Sequence, residues 1–158
     1  MLPSLMTPEE RLCALGLSLP AAPAPVAAYV PAVRTGDLVF VSGQLPFVDG
    51  ALSVCGRVPD QVSIEDASSA ARLSVLNALA VLAAQLDGGL QDVEQIVRIG
   101  VFVQCEPGFD AQPTVANGAS ELLLEVFGDA GRHARAAVGS IGLPLNAPVE
   151  IEMIARVR

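Results

Sequence analysis

Between Ser63 and Gly89 the chain reads SIEDASSAARLSVLNALAVLAAQLDGG, a stretch whose periodicity fits a long helix and little else. Ser63 with Glu65 and Asp66 supplies an N-terminal box. Ala70, Leu73, Leu76, Ala80 and Ala83 then recur at helical spacing until Gly88-Gly89, so the helix is expected to end near Asp87. A second helix is predicted from about Asp110 to Phe127, stopped by Gly128, with Val115, Leu122 and Val126 on one side. Everything around these helices reads as strand. Residues 27–44 give two short strands about a turn at Thr35-Gly36-Asp37, and DVEQIVRIGVFVQ at 92–104 gives a third. Residues 133–141 and 149–157 give two more, joined by the LPLNAP turn, while 46–62 reads as mostly loop with one edge strand near 51–54.

The order is two strands, helix, strand, helix, two strands. Helices that fall between runs of strands favour an α+β fold with both helices on one face of a mixed sheet. The other face, carrying Val, Ala, Gly and Leu, then has nothing to cover it and is expected to meet another subunit.

Thr7-Pro8-Glu9-Glu10 combines an N-cap, a proline at the first helical position and a capping-box glutamate, which predicts a short helix over residues 8–16, ended by Gly16. PAAPAP at 20–25 is a stiff linker of polyproline character. The chain therefore divides into an extension, 1–26, and a main domain, 27–158. Arg11 precedes the apolar, small-residue run LCALGLSLPAAPAPVAA, which imitates a signal peptide. Glu9 and Glu10 stand where its basic region would be, and Pro20, Pro23 and Pro25 break the run, so a cytoplasmic protein with no membrane span is expected.

With 52% hydrophobic residues the chain can bury a full core, and a formal charge of −8 disfavours a nucleic-acid partner. All nine basic residues are arginine, so lysine Schiff-base chemistry and covalent pyridoxal phosphate attachment are excluded. Three scattered cysteines and one histidine fit neither a disulfide framework nor a zinc site, and no metal or cofactor is expected.

The remaining chemistry gathers in GRHARAAVG. Along a strand at 133–141, His133, Arg135, Ala137 and Gly139 share a face, so a guanidinium stands among small residues. A fixed fork of donors above a gap suits a small carboxylate. The final strand puts Glu150 and Glu152 on one face, and the intervening turn is expected to return a carboxylate toward Arg135. A plain ion pair with Glu150 or Glu152 at a subunit contact is the competing reading. His133 reads equally as a hydrogen-bonded surface imidazole. Ser42-Gly43-Gln44 offers backbone N–H groups at a strand end, Tyr29 is the one phenol, and Asn117-Gly118 inside a helix is unfavourable enough to imply a packing or site constraint.

Taken together, SGQLP at 42–46, the helix toward Asp87, VRIGVFV at 97–103 and the closing R-x-x-V…LP…VEIE element resemble the RidA/YjgF family, also called the endoribonuclease L-PSP family, from about Ala27 onward. The resemblance implies a chorismate-mutase-like α+β subunit in a homotrimer with sites between subunits. It implies that Arg135 binds the substrate carboxylate, that Glu150 helps position the attacking water, and that Tyr29, Ser42 and Asn117 line the pocket. The implied reaction is cofactor-free hydrolysis of 2-aminoacrylate-type enamines and imines to a 2-keto acid and ammonia. A trimer that only binds small carboxylates is the alternative, and a ribonuclease ranks last. Ala137 replaces a cysteine common in the family. With His133 and the N-terminal extension, it marks a divergent branch.

Overall fold

The computed structural model describes residues 6–22 and 28–158. A short helix α1 (Pro8–Ala14) precedes the hairpin β1 (Ala32–Thr35) and β2 (Leu38–Gln44). A second small hairpin, β3 (Phe47–Val48) and β4 (Ala51–Leu52), leads to α2 (Ile64–Ala83) and β5 (Val93–Gln104). Then follow α3 (Gln112–Phe127), β6 (Ala134–Ser140) and β7 (Val149–Val157). Five strands form one sheet in the order β1-β2-β7-β5-β6, antiparallel throughout except for the parallel pair β5 and β6. That pair is joined through α3, the crossover a parallel connection requires.

Local chemistry explains most boundaries. Thr7 Oγ1 accepts from the Glu10 N–H while Glu10 returns a bond to the Thr7 N–H, a complete capping box on α1. Ser63 Oγ caps α2 by accepting from Asp66 N–H at 3.0 Å. Gly128, at φ 60°, ends α3 in a conformation that L side chains resist. Two expectations need correction. The α2 pattern continues to Gly88, yet the helix ends at Ala83, where the chain tightens into short-range bonds from Gln85 N–H to Leu82 O and from Leu86 N–H to Ala83 O. The stretch read as loop with one edge strand holds a hairpin, because Asp49 (φ 50°) and Gly50 (φ 82°) form the two-residue turn that suits strand twist.

Both helices lie on one face of the sheet. The core between the layers contains Leu79 and Leu82 of α2, Leu122 and Leu123 of α3, and Ile96, Ile99, Ile151 and Met153 of the strands, all essentially inaccessible. Burial of each such side chain contributes about 1.5–3 kcal/mol. Gly118 lies where α3 meets α2: a Cβ there would strike the Ser68 carbonyl oxygen. The unfavourable Asn117-Gly118 pair is therefore a packing requirement. On the open face Val33, Phe40 and Val138 are exposed, on the strands that flank the ion pairs Arg98–Glu152 (3.0 Å) and Arg156–Glu94 (3.2 Å).

The extension is docked. Leu12 is buried, Glu9 Oε1 accepts from Leu90 N–H at 2.7 Å, and Arg11 Nη1 donates to Val126 O at 3.2 Å. That last bond satisfies a carbonyl in the final turn of α3, where a cation is favoured. Of the predicted linker, residues 23–25 lie outside the described residues. Leu12→Ala should cost about 2 kcal/mol. Limited proteolysis should then show earlier cleavage within the first 30 residues, with the rest of the domain intact.

Candidate active site

Strand β6 is an edge strand, and its helix-side row carries Arg135, Ala137 and Gly139. Arg135 pairs in register with buried Ile99, which fixes its side chain on the α3 side of the sheet. There Arg135 Nη1 donates to Asn117 Oδ1 at 2.9 Å and to Ser120 Oγ at 3.1 Å. Asn117 and Ser120 are three residues apart on α3 and so share a face. Among the described residues no carboxylate lies within ion-pairing distance of Arg135, and its Nε and Nη2 make no hydrogen bond.

His133 stands at the mouth of this arrangement. Its Nδ1 is 2.6 Å from Gly131 O and its Nε2 is 2.9 Å from Ser120 Oγ. A carbonyl can only accept, so Nδ1 carries the proton and, in the neutral ring, Nε2 accepts from the serine hydroxyl. Partial burial pushes the imidazole pKa down; the Gly131 carbonyl opposes this and the Arg135 charge reinforces it. Ser120, Leu124, Arg132, His133 and Arg135 line a cavity of about 270 Å³. A second cavity of about 270 Å³ opens beyond Ala137, where Cys105 packs so closely on Gly139 that a Cβ there would lie 2.8 Å from its sulfur.

Glu150 does not join this cluster. Two strand spacings separate β6 from β7, about 10 Å, because β5 lies between them. Glu150 is level with Phe102 and Val138, three residues along from Arg135, which adds about 10 Å more. The alternation of β7 buries Val149, Ile151 and Met153 against the helices, which puts Glu150 and Glu152 on the open face, opposite to Arg135. The expected return of a carboxylate toward Arg135 therefore does not occur within one chain. Within one chain Arg135 makes no ion pair with either glutamate, and Glu152 pairs with Arg98 at 3.0 Å.

Glu150 belongs to a second cluster with Ser42 and Gly43. A side chain at Gly43 would collide with the Glu150 carboxylate, so glycine there makes room for it. Ser42 Oγ donates to Val30 O at 2.9 Å, tying β2 to the segment that carries the exposed Tyr29. Burial raises the Glu150 pKa, and the neighbouring Glu152 carboxylate raises it further. A raised folded-state pKa means stability contributed below the unfolded value and lost as pH rises through the folded value. Glu150→Gln should therefore raise Tm at pH 7, by less than about 4 °C, with the gain disappearing below pH 4 in scanning calorimetry.

The sequence reading missed Ser120. Its signal was present, as the i+3 partner of Asn117 on the same helix, but only the structure shows β6 passing beneath both. Among the described residues no three His, Cys, Asp or Glu side chains cluster as metal ligands, and no helix is long and apolar enough to cross a membrane.

A family model described as "YjgF/chorismate mutase-like, putative endoribonuclease" matches residues 9–157. The chain belongs to the YjgF/RidA family. Protein TCP17 of Trypanosoma cruzi is 43% identical over 141 residues, 89% of this chain and 88% of that protein. A 2-iminobutanoate/2-iminopropanoate deaminase of Dermatophagoides farinae is 30% identical over 139 residues, 87% of this chain and 92% of the deaminase. Among solved structures, a protein of unknown function from Agrobacterium tumefaciens is 44% identical and superposes with a TM-score of 0.90, covering 96% of this chain and 92% of that one. The YjgF match thus extends through α1, which the sequence reading had placed outside the resemblance.

Proposed function

We propose that this YjgF/RidA protein hydrolyses small enamine and imine intermediates of the 2-aminoacrylate type to a 2-keto acid and ammonia, in sites shared between subunits of a homotrimer. The observation that carries this reading is the guanidinium of Arg135, which lines the cavity and is held by Asn117 and Ser120 through Nη1 alone, while Nε and Nη2 make no hydrogen bond. Two unpaired donors in a fixed plane form a bidentate receptor for a carboxylate. The resemblance to a 2-iminobutanoate/2-iminopropanoate deaminase supports a substrate carrying that group.

The two half-sites lie far apart in one chain, so a small substrate can touch both only if a second copy supplies one of them. Arg135 of one subunit would hold the carboxylate, and Glu150 of a neighbour would orient water, its raised pKa bringing it nearer the range useful for proton transfer. The exposed apolar residues of the open face and the unpaired edge of β6 are the surfaces available for that contact. An imine is already electrophilic, so positioning and charge stabilisation suffice and no cofactor is called for. The net charge of −8 weighs against RNA as the substrate.

The test is a coupled assay in which 2-iminopropionate is generated in solution and its loss followed with and without the protein, alongside sedimentation equilibrium. Accelerated loss by a species of three times the chain mass is expected. A monomer with no acceleration would remove the proposal.

A further inference from the structure

Ser120, His133 and Arg135 form a directed chain of hydrogen bonds beside the cavity. Arg135 Nη1–H donates to Ser120 Oγ, the Ser120 hydroxyl donates to His133 Nε2, and His133 Nδ1–H is fixed by Gly131 O. This is the arrangement of an activated hydroxyl: an oxygen with a base on one side, and a base oriented by a third group that locks its tautomer. Here a backbone carbonyl replaces the usual carboxylate. A guanidinium on the same oxygen further favours its losing a proton. The charge that acts on the imidazole is that of Arg135, two residues along the chain, while Arg132, which lines the same cavity, is paired with Asp129 at 3.2 Å. Neither is an acid that could supply a competing proton.

We propose that Ser120 and His133 are the proton-transfer pair of this site, Ser120 Oγ relaying a proton between the reacting water and His133 Nε2. The proposal rests on the deaminase reading above. Ser120 and His133 line the same cavity as Arg135, so a substrate whose carboxylate reaches that guanidinium from the cavity lies against the pair. Water adds to the iminium carbon, the C=N π pair moves to nitrogen, and one water proton passes through Ser120 to His133. The imidazolium returns that proton to nitrogen by the same route. The carbon–nitrogen bond breaks with its electron pair leaving on ammonia, which takes the hydroxyl proton as the carbonyl forms. Iminium and water are thereby converted to ketone and ammonium.

His133 is the one histidine of the chain, so its ring is a single, unambiguous reporter. Nitrogen-15 NMR should show the Nδ1–H tautomer, lost or mixed in Ser120→Ala. In the imine assay, Ser120→Ala and His133→Gln should each lower kcat by roughly 100-fold, and the double variant by no more than either alone. Pyruvate affinity should change by less than about 2-fold in His133→Gln, which leaves Arg135 with both of its hydrogen bonds. The wild-type rate should fall with decreasing pH through a pKa below the ordinary histidine value of about 6.5, and His133→Gln should lose that limb. If wild type accelerates imine hydrolysis but both variants match it with the same pH profile, the relay is wrong and the deaminase reading stands. If wild type does not accelerate it, the deaminase reading fails and the relay fails with it.

Discussion

Arg135→Ala should reduce kcat/KM for 2-iminopropionate by roughly 1,000-fold and abolish the calorimetric signal of pyruvate binding, while leaving Tm within about 2 °C of wild type. Two charge-assisted hydrogen bonds to a carboxylate are at stake, each worth about 1.5–3 kcal/mol. The groups left behind lose little: Asn117 is exposed and Ser120 retains His133, so neither becomes a buried orphan. Arg135→Lys separates charge from geometry. Lysine keeps the charge without the planar fork, so a loss of roughly 10- to 100-fold is expected. A purely structural arginine would show the opposite pattern, with stability falling and pyruvate binding unchanged.

Gly118→Ala should destabilise the protein by about 3 kcal/mol and lower Tm by roughly 6–12 °C. In an unconstrained helix the same change stabilises by up to about 1 kcal/mol, so the predicted sign is reversed. The cause is the α2–α3 contact, where the new methyl would meet the Ser68 backbone carbonyl and could be accommodated only by moving a helix. Because α3 carries Asn117 and Ser120, that movement would also detune Arg135. Turnover at a temperature where the variant is still folded should fall several-fold. Gly142→Ala is the control: a Cβ there meets nothing within 4 Å, and its stability should match wild type in the same denaturation experiment.

The parts of the fold legible in the sequence are those fixed by local pattern. Capping at Thr7 and Ser63, the stop at Gly128 and the alternation in β7 each depend on neighbours within a few residues, and each matches the structure. The two-residue Asp49-Gly50 turn was local as well, and the hairpin it makes was lost behind the prolines and glycines around it. Sheet order was not legible from β6 and β7 alone. Adjacent in sequence, they are separated in space by β5, because α3 returns the chain parallel to β5 while β7 inserts between β5 and β2. This one long-range choice turns a single expected pocket into two half-sites on opposite faces. Arg135 and His133 could be nominated from a strand of small residues, but their partner Ser120 depends on how α3 rests over β6.

Subunit complementation tests the central claim most directly. Arg135→Ala and Glu150→Gln chains, each inactive alone, are unfolded together at equal amounts, refolded and assayed on 2-iminopropionate. If every site takes its arginine from one subunit and its glutamate from the next, random mixing leaves about a quarter of the sites with both residues intact. Recovery of about a quarter of the wild-type rate is the expected result. No recovery, from a mixture shown to contain hybrid oligomers, would contradict a site assembled between subunits.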